Sequence, residues 1–481
     1  MKKSQSYSRK AEAGIANETL QSGLKMIQGR FGKGAMEYWD NMVDADQRKR
    51  AKSRRMQTLE HLDIVLAELS ENIRKRGGNV YFAATAEDAV RYTLEVAREN
   101  KVKRIVKGKS MTTVEVGIDP ALEKAGIEVV ETDLGEYIVQ LAEDTPSHII
   151  APCIHMDRKQ IGELFTDKLG IDYTENPPEL TQAARTALRE KLLTADMGLT
   201  GCNIACAETG HVSLVSNEGN IRMATTMPRV HVAFMGMERV AANLQEHQDL
   251  LQLLTRGAAL QKISTYVSFT GGVSDDDNPD GPEHFHLVII DNGRSKILAD
   301  PEFREVLACI RCGACLNICP VYGKIGGHAY SSAYCGPIGA VVTPLLHGIN
   351  KHADLCKGET LCGACKDVCP VENDLPKMLS TLRYKLAYGD EKWQVTPKSR
   401  MERIGFRLWK TTIKNRTLYN ISLKIARWYT KRKTGSNGMV SSMPFLGGKW
   451  TRGRDLPPIA AETFSERWKK THKKSRSGSQ T

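Results

Sequence analysis

Apolar residues follow two different spacing rules along this chain. Up to about residue 75 they return every three or four positions. Leu59, Leu62, Ile64, Val65, Leu66 and Leu69 make one apolar face between charged neighbours, which is the period of a helix. The basic run Arg48-Lys49-Arg50 with Lys52, Arg54 and Arg55 reads as the solvated side of such a helix rather than as a nucleic-acid contact. From Gly77 the rule changes, and short β-rich runs alternate with helical stretches. Strands are expected at Asn79–Ala83, Val102–Val106, Ile127–Glu131, Ser147–Ala151, His211–Ser216, Val230–Met235, Ser264–Ser268 and Phe285–Asp291. Helices are expected over Ala86–Glu99 and near Pro120–Ala125. Alternation of this kind predicts an α/β domain with a largely parallel sheet, placed at 76–295 behind a helical extension at 1–75.

After residue 295 the helical pattern returns around Ala340–Leu346 and Leu375–Leu386, giving a mostly helical domain at 296–390. In the tail, 391–481, Ile404, Leu408, Leu418, Ile421, Ile425 and Trp428 lie among Arg and Lys, as on a basic amphipathic helix. Beyond Lys433 the Gly, Ser and Pro content predicts an extended segment. No run of about 18 apolar residues occurs, so no spanning helix is expected. The start, Met1 to Lys10, has charge without an apolar stretch behind it and is not read as a secretory signal.

Charge sharpens this division. The chain of 481 residues carries a net +12, but residues 391–481 hold 22 Lys and Arg against 5 Asp and Glu, a net +17, and the rest is −5. The basic character belongs to the tail. Three uses compete for it, in this order: an arm that docks a partner, an anchor on an anionic membrane surface, and a nucleic-acid arm.

The cysteines carry the chemistry. Nine of the 12 lie between Cys309 and Cys369. Cys309-Ile-Arg-Cys312-Gly-Ala-Cys315-Leu-Asn-Ile-Cys319-Pro320 is C-x2-C-x2-C-x3-C-P, and Cys362-Gly-Ala-Cys365-Lys-Asp-Val-Cys369-Pro370 is C-x2-C-x3-C-P. Three thiolates so spaced wrap one corner of an iron–sulfur cube, and the cysteine before proline points to a second cube. Cys309, Cys312, Cys315 and Cys369 are therefore expected on one [4Fe-4S] cluster, and Cys319, Cys362 and Cys365 on another. Each proline stops the helix and fixes the exit of the chain. Zinc knuckles do not need the C-x3-C-P ending. The second motif lacks its first cysteine, which by spacing would fall at Glu359. Cys356 is the nearest replacement; otherwise a non-cysteine group or an incomplete cluster serves. Clustered thiols without a secretion signal fit a reducing cytoplasm.

Other polar groups invite assignment. Lys107-Gly-Lys109 and Ser110-Met-Thr-Thr113 follow a strand and could hold an anion or simply cap a helix. Gly198–Gly210 is rich in small residues with Asn203 and Glu208 at its polar points, and Asn217-Glu218-Gly219-Asn220 follows the next strand. Glu208, Asn217, Glu218 and Asn220 either line one pocket or serve a tight hairpin whose carboxylate pairs with an arginine such as Arg222. Cys153, Cys202, Cys206 and Cys335 read as free thiols, and His231 as a core residue. His328 reads as loop structure with a second use beside a cluster. The acidic loop at Ser274–Pro282 lacks EF-hand spacing. Asp291-Asn-Gly-Arg294 is a turn leaving the α/β domain. No dinucleotide fingerprint or P-loop is found.

Taken together, Lys107–Thr113, Val130–Glu136, Gly198–Gly210, Asn217–Asn220, Asp291–Arg294, the cysteine region with Gly326–Tyr330 and Gly336–Gly339, and Trp450–Pro457 resemble the lactate utilization protein B family, the iron–sulfur subunits of a three-component bacterial L-lactate-oxidising system. The resemblance implies an N-terminal lactate-utilization domain similar to sugar-isomerase and CoA-transferase folds, then a ferredoxin-like domain with two [4Fe-4S] clusters. It also implies partners resembling lactate utilization proteins A and C. Cys356 departs from it, since proline is expected there.

The expected function is electron transfer during oxidation of L-lactate to pyruvate, in the cytoplasm, with peripheral contact at the inner membrane face through the tail. The electron acceptor is not readable. Two alternatives stand beside it: the same role in a glycolate-type oxidase complex, and a redox-sensing nucleic-acid-binding regulator, nucleic acid being the least favoured partner. A catalytic α/β domain acting on a small acid through Glu208 and Asn217–Asn220 is a third.

Overall fold

In a computed structural model of the chain, the described residues are 6–42, 44–277, 279–397, 400–444, 446–451 and 454–477. They fall into two compact units, Met1–Thr396 and Pro397–Thr481. The first is built on a six-stranded sheet. Its strands are β1 (Asn79–Ala83), β2 (Arg104–Lys107), β3 (Glu128–Glu131), β4 (Met197–Thr200), β7 (Val230–Gly236) and β10 (His284–Ile290), in the order β1-β10-β7-β4-β2-β3. Every pairing is parallel. β4 and β7 are buried at every position, as strands covered on both faces must be. Helices such as Ala86–Glu99, capped by the Thr85 hydroxyl accepting from the Asp88 N–H at 3.2 Å, cover the sheet.

A smaller sheet, β8-β5-β6-β9, combines β5 (Ile204–Cys206), β6 (His211–Ser216), β8 (Val240–Ala241) and β9 (Tyr266–Thr270). β5, and β4 of the larger sheet from Gly198 on, lie in the stretch Gly198–Gly210, where no strand was expected. Gly198 is needed within β4 because a Cβ there would run into the Ala224 carbonyl.

One expected strand is absent. Ser147–Ala151 is a bend, because its backbone finds other partners. The His148 Nδ1 accepts from the Ile150 and Ala151 N–H groups at 3.0 and 3.2 Å, and the Ser147 carbonyl accepts from the Tyr322 hydroxyl at 2.7 Å. A segment satisfied in this way has no need of a ladder.

The N-terminal extension is helical over Tyr7–Ala16, Glu18–Ile27, Lys33–Asp40, Gln47–Glu60 and Leu62–Lys75. Its basic run is solvated only in part: Lys49 and Arg50 are exposed, but the others turn inward. Arg55 is fully buried and donates to the carbonyls of Val240 (2.6 Å), Glu238 (2.5 Å) and Leu307 (3.3 Å). Lys52 pairs with Glu305, and Arg54 reaches Asp249 at 2.5 Å. The helix is a strut carrying charge into the protein, which charge counting along the chain does not reveal.

The second unit has helices at Arg400–Lys414, Arg416–Lys433, Leu446–Thr451 and Phe464–Ser477. Leu408, Trp409, Ile425 and Trp428 are exposed. The stretch after Lys433 is not wholly extended, since it holds the last two helices and a bridge pairing Val440 with Leu456. Arg452 and Gly453, in the Trp450–Pro457 stretch, lie outside the described residues. Among the described residues no helix is long and apolar enough to cross a membrane.

Candidate functional site: two cysteine loops and a polar cavity

The cysteine loops repeat at an interval of about 50 residues in sequence and in backbone conformation. Cys312, Cys315 and Cys319 correspond to Cys362, Cys365 and Cys369. In each loop the residue before the first of these has a left-handed backbone (Arg311, φ 58°; Leu361, φ 58°), and so does the glycine after it (Gly313, φ 80°; Gly363, φ 92°). A short helix follows, Ala314–Ile318 in one and Ala364–Asp367 in the other. The fourth cysteine then donates its N–H three residues back, Cys319 to Leu316 at 3.2 Å and Cys369 to Lys366 at 3.1 Å.

Folding sorts these thiols into two groups. Cys309, Cys312, Cys315 and Cys369 face one another closely enough that their charges act on each other. Cys319, Cys362 and Cys365 line a small cavity together with Glu359. Cys365 and Cys315 also feel each other's charge, so the groups are adjacent. Burial pushes the thiols of Cys312, Cys315 and Cys319 far up, that of Cys365 to about 12 and that of Cys369 to about 11; neighbouring thiolates push Cys312, Cys315 and Cys369 the same way, and Glu359 pushes Cys319 and Cys365. Thiols so placed ionise only against a compensating positive charge, which iron provides. The N–H groups of Arg311 and Tyr322 point at the sulfurs of Cys309 (3.3 Å) and Cys319 (3.4 Å), the hydrogen bonding that cluster sulfurs receive. The donor set fits iron–sulfur clusters.

Cys356 is not in either group. It sits in the helix Ala353–Gly358 with its thiol toward the carbonyls of Ala340 (3.8 Å) and His352 (3.9 Å).

The loops are held by distant segments. Arg48 donates to the Cys369 carbonyl at 2.7 Å, Gln28 to the Cys319 carbonyl at 2.8 Å, and Trp39 to the Val368 carbonyl at 2.9 Å. Arg239, just after β7, donates to the Cys309 carbonyl at 2.9 Å. The helix Leu244–Ala259 approaches the first loop through Gly257, where a Cβ would stand 2.6 Å from the Pro370 ring and 3.3 Å from the Cys312 sulfur.

Beside the first group is a polar cavity of about 270 Å³. It opens at the carboxyl ends of β2, β3, β4 and β7, where the strand order reverses and α/β folds place ligands. Lys109, Asn203, Asn217, Glu218, Asn220, Arg239, Arg311 and Cys312 line it. Three of the expected pocket residues, Asn217, Glu218 and Asn220, thus come together there. Glu208 does not. Its carboxylate accepts the Leu244 N–H at 2.8 Å, at the start of the helix Leu244–Ala259. Arg222 instead lies over the Tyr266 ring at 5.2 Å. Arg239 and Arg311 were missed because each is a lone arginine in sequence, brought to the cavity by a strand end and by the cysteine turn.

The other candidates resolve individually. Lys107 is paired internally: it is buried against Asp119 (2.7 Å) and Glu131 (2.5 Å), whose carboxylates more than offset the burial that opposes its charge. Ser110 caps the next helix by accepting the Thr113 N–H at 3.3 Å. Arg294, in the turn after β10, is buried between Glu115 (2.7 Å) and Glu238 (2.9 Å). His231 is a core residue, hydrogen-bonded to Thr200 at 2.8 Å and driven down to about 3 by burial. His328 is away from both cysteine groups. It lies beside His155 and Asp144 in a second cavity of about 750 Å³ and shares a hydrogen bond of 2.6 Å with the Thr145 carbonyl. Cys153 is half-buried, Cys202 lines the polar cavity, and Cys206 and Cys335 are buried.

Comparison with known proteins agrees with this layout. Residues 66–290 match the LUD domain, residues 305–373 the 4Fe-4S dicluster domain, and residues 391–473 the C-terminal region of lactate utilisation protein B. Lactate utilization protein B of Oceanobacillus iheyensis is 44% identical over 464 residues, covering 96% of each chain. Lactate utilization protein B of Bacillus cereus strain AH820 is 41% identical over 462 residues, again covering 96% of each. A crystal structure of a duf162 family protein from Deinococcus radiodurans has 15% identity and a TM-score of 0.27 over 48% of this chain and 98% of its own, a likeness too slight to build on. With the full-length relatives and all three family regions in register with the described architecture, this iron–sulfur chain belongs to the lactate utilization protein B family.

Proposed function

We propose that this chain is the electron-transfer subunit of a complex that oxidises L-lactate to pyruvate, that it carries two [4Fe-4S] clusters, and that it works with subunits resembling lactate utilization proteins A and C. One observation supports this most. The first ligand group touches the polar cavity through Cys312, the second reaches the surface through the exposed Cys362, and Cys315 and Cys365 lie between. Bound clusters supply one-electron storage. The chain itself provides the cysteine turns, the N–H groups aimed at sulfur, and the buried struts that keep the two groups adjacent. The basic amphipathic helices of the second unit, with Trp409 and Trp428 exposed among arginines, suit a docking arm for a partner subunit.

The test is anaerobic purification with iron and sulfide analysis, EPR of the reduced protein, and growth of a deletion strain. About eight irons, two interacting cubane signals and loss of growth on L-lactate but not on glycolate are expected. Zinc in place of iron, or a growth defect on glycolate alone, overturns the reading.

A second reading concerns the cavity. Lys109 and Arg239 beside Asn217, Glu218 and Asn220 make a site suited to a small hydroxy acid, with the cationic groups facing its carboxylate. Saturable L-lactate binding lost in Asn220→Ala but kept in Glu208→Gln supports it; binding lost in both, or in neither, removes it.

A further inference from the structure

Seven cysteines supply one ligand fewer than two cubes of four need, and one position is left for another group. We propose that Glu359 is that ligand and that its carboxylate binds the fourth iron of the second cluster. The proposal rests on the reading of the cysteine loops as cluster ligands and names what that reading leaves open.

Three observations converge. First, the loops correspond residue by residue, so Glu359 stands where Cys309 stands in the first loop. It precedes the left-handed Leu361 and Cys362 as Cys309 precedes Arg311 and Cys312. Both follow a short helix and leave it with an extended backbone, Cys309 at φ −59°, ψ 127° and Glu359 at φ −84°, ψ 149°.

Second, the side chain faces the same space as the thiols of the second group. Its Oε2 is 3.5 Å from the Cys319 sulfur, and it lines one cavity with Cys319, Cys362 and Cys365. Cys356, one helical turn earlier, faces the Ala340 and His352 carbonyls instead.

Third, the carboxyl group is buried without a compensating charge in contact. Tyr330 donates to Oε1 at 2.9 Å, and the Cys319 thiol is the partner of Oε2. A phenol and a thiol supply no positive charge, and a buried carboxylate requires one. The nearby Arg383 is committed to backbone. It donates to the carbonyls of Cys356 (2.8 Å) and Glu359 (2.5 Å), which pins the segment and aims the side chain. Arg383 is thus a positioning residue. On cluster assembly Glu359 releases its proton and forms one oxygen–iron bond, so a carboxylate replaces a thiolate at equal charge. Tyr330 stays on the other oxygen. The iron so bound differs from its three thiolate-bound neighbours, because a hard oxygen donor holds iron less tightly than sulfur does.

The test uses full-length protein purified anaerobically, as wild type, Glu359→Gln, Glu359→Ala, Glu359→Cys and Cys356→Ala. The readouts are iron content, Mössbauer spectra and EPR before and after mild oxidation. Wild type is expected to show one iron subsite distinct from the rest. Gln and Ala variants are expected to lose about one iron per chain on oxidation and to give a three-iron signal. Glu359→Cys should keep the iron and lose the distinct subsite, and Cys356→Ala should match wild type. Two intact cubanes in Glu359→Gln and Glu359→Ala, with the loss in Cys356→Ala instead, overturn the Glu359 assignment and leave the electron-transfer reading standing. Wild-type protein that holds no iron overturns that reading and the ligand with it.

Discussion

Arg294→Met tests the part of the fold that joins the α/β domain to the first cysteine loop. The Arg294 side chain is 1% exposed, Glu115 0% and Glu238 2%. Its guanidinium donates to Glu115 at 2.7 and 2.9 Å and forms an ion pair with Glu238 at 2.9 Å, and Glu238 in turn meets Arg311 at 3.5 Å, between Cys309 and Cys312. Two carboxylates and two guanidinium groups balance to zero. Methionine fills similar space but leaves Glu115 without its cation and Glu238 with Arg311 as its remaining ion pair. Removing one partner of a buried pair costs about 3–5 kcal/mol, a large share of a total near 5–15 kcal/mol. At roughly 2 °C per kcal/mol for a large unit, anaerobic thermal unfolding followed by circular dichroism should show Tm lowered by about 8 °C.

The double variant Glu115→Gln/Arg294→Met should recover part of that loss, because the orphaned carboxylate is gone. The pH dependence follows with a definite sign. Burial pushes the Glu115 carboxyl up, but Arg294, Tyr334 and Asn292 pull it down more, to about 2 from 4.5. A carboxyl lowered on folding stabilises fully above pH 4.5, and this is lost as pH falls toward 2; the size is about 3 kcal/mol. Glu115→Gln should flatten acid destabilisation in that window. An Arg294→Met cost below about 1 kcal/mol, or a double variant no more stable than the single, refutes the account.

Three further outcomes follow. Burial raises the Glu136 carboxyl to about 7; an acid raised on folding costs stability as pH climbs from 4.5 to 7, so Glu136→Gln should gain about 1–3 kcal/mol at pH 8 and nothing at pH 4, by urea unfolding. Gly257→Ala puts a Cβ 2.6 Å from the Pro370 ring, so the first cluster should lose iron faster to a chelator under air while the EPR of the second is unchanged. Arg55→Met removes three carbonyl contacts that tie the N-terminal helices to β8 and Leu307; stability should fall by about 3–5 kcal/mol, with early protease cleavage of residues 6–75 as the readout.

What could be read from the chain alone was whatever depends on short spacing. The C-x2-C-x2-C-x3-C-P run announces a cube because its ligands are a turn apart, and β7 and β10 announce themselves because strands buried on both faces are apolar at nearly every position. β4 was hidden because close approach of the Ala224 carbonyl demands Gly198 in a strand, and glycine in sequence reads as loop. Ser147–Ala151 looked like a strand because its apolar content is local, whereas its hydrogen bonds come from His148 and from Tyr322, 175 residues away. Within the basic run at 48–55, Lys52, Arg54 and Arg55 looked as solvated as Lys49 and Arg50 because their partners, Glu305, Asp249 and the Val240 carbonyl, are remote in sequence. Tertiary structure alone decided that Asn217, Glu218 and Asn220 share a cavity with Cys312 while Glu208 caps a helix, and that Cys356 turns away as Glu359 turns toward Cys319. Charge balance and ligand geometry are settled by what meets across the fold, and spacing along the chain carries only the local half of that information.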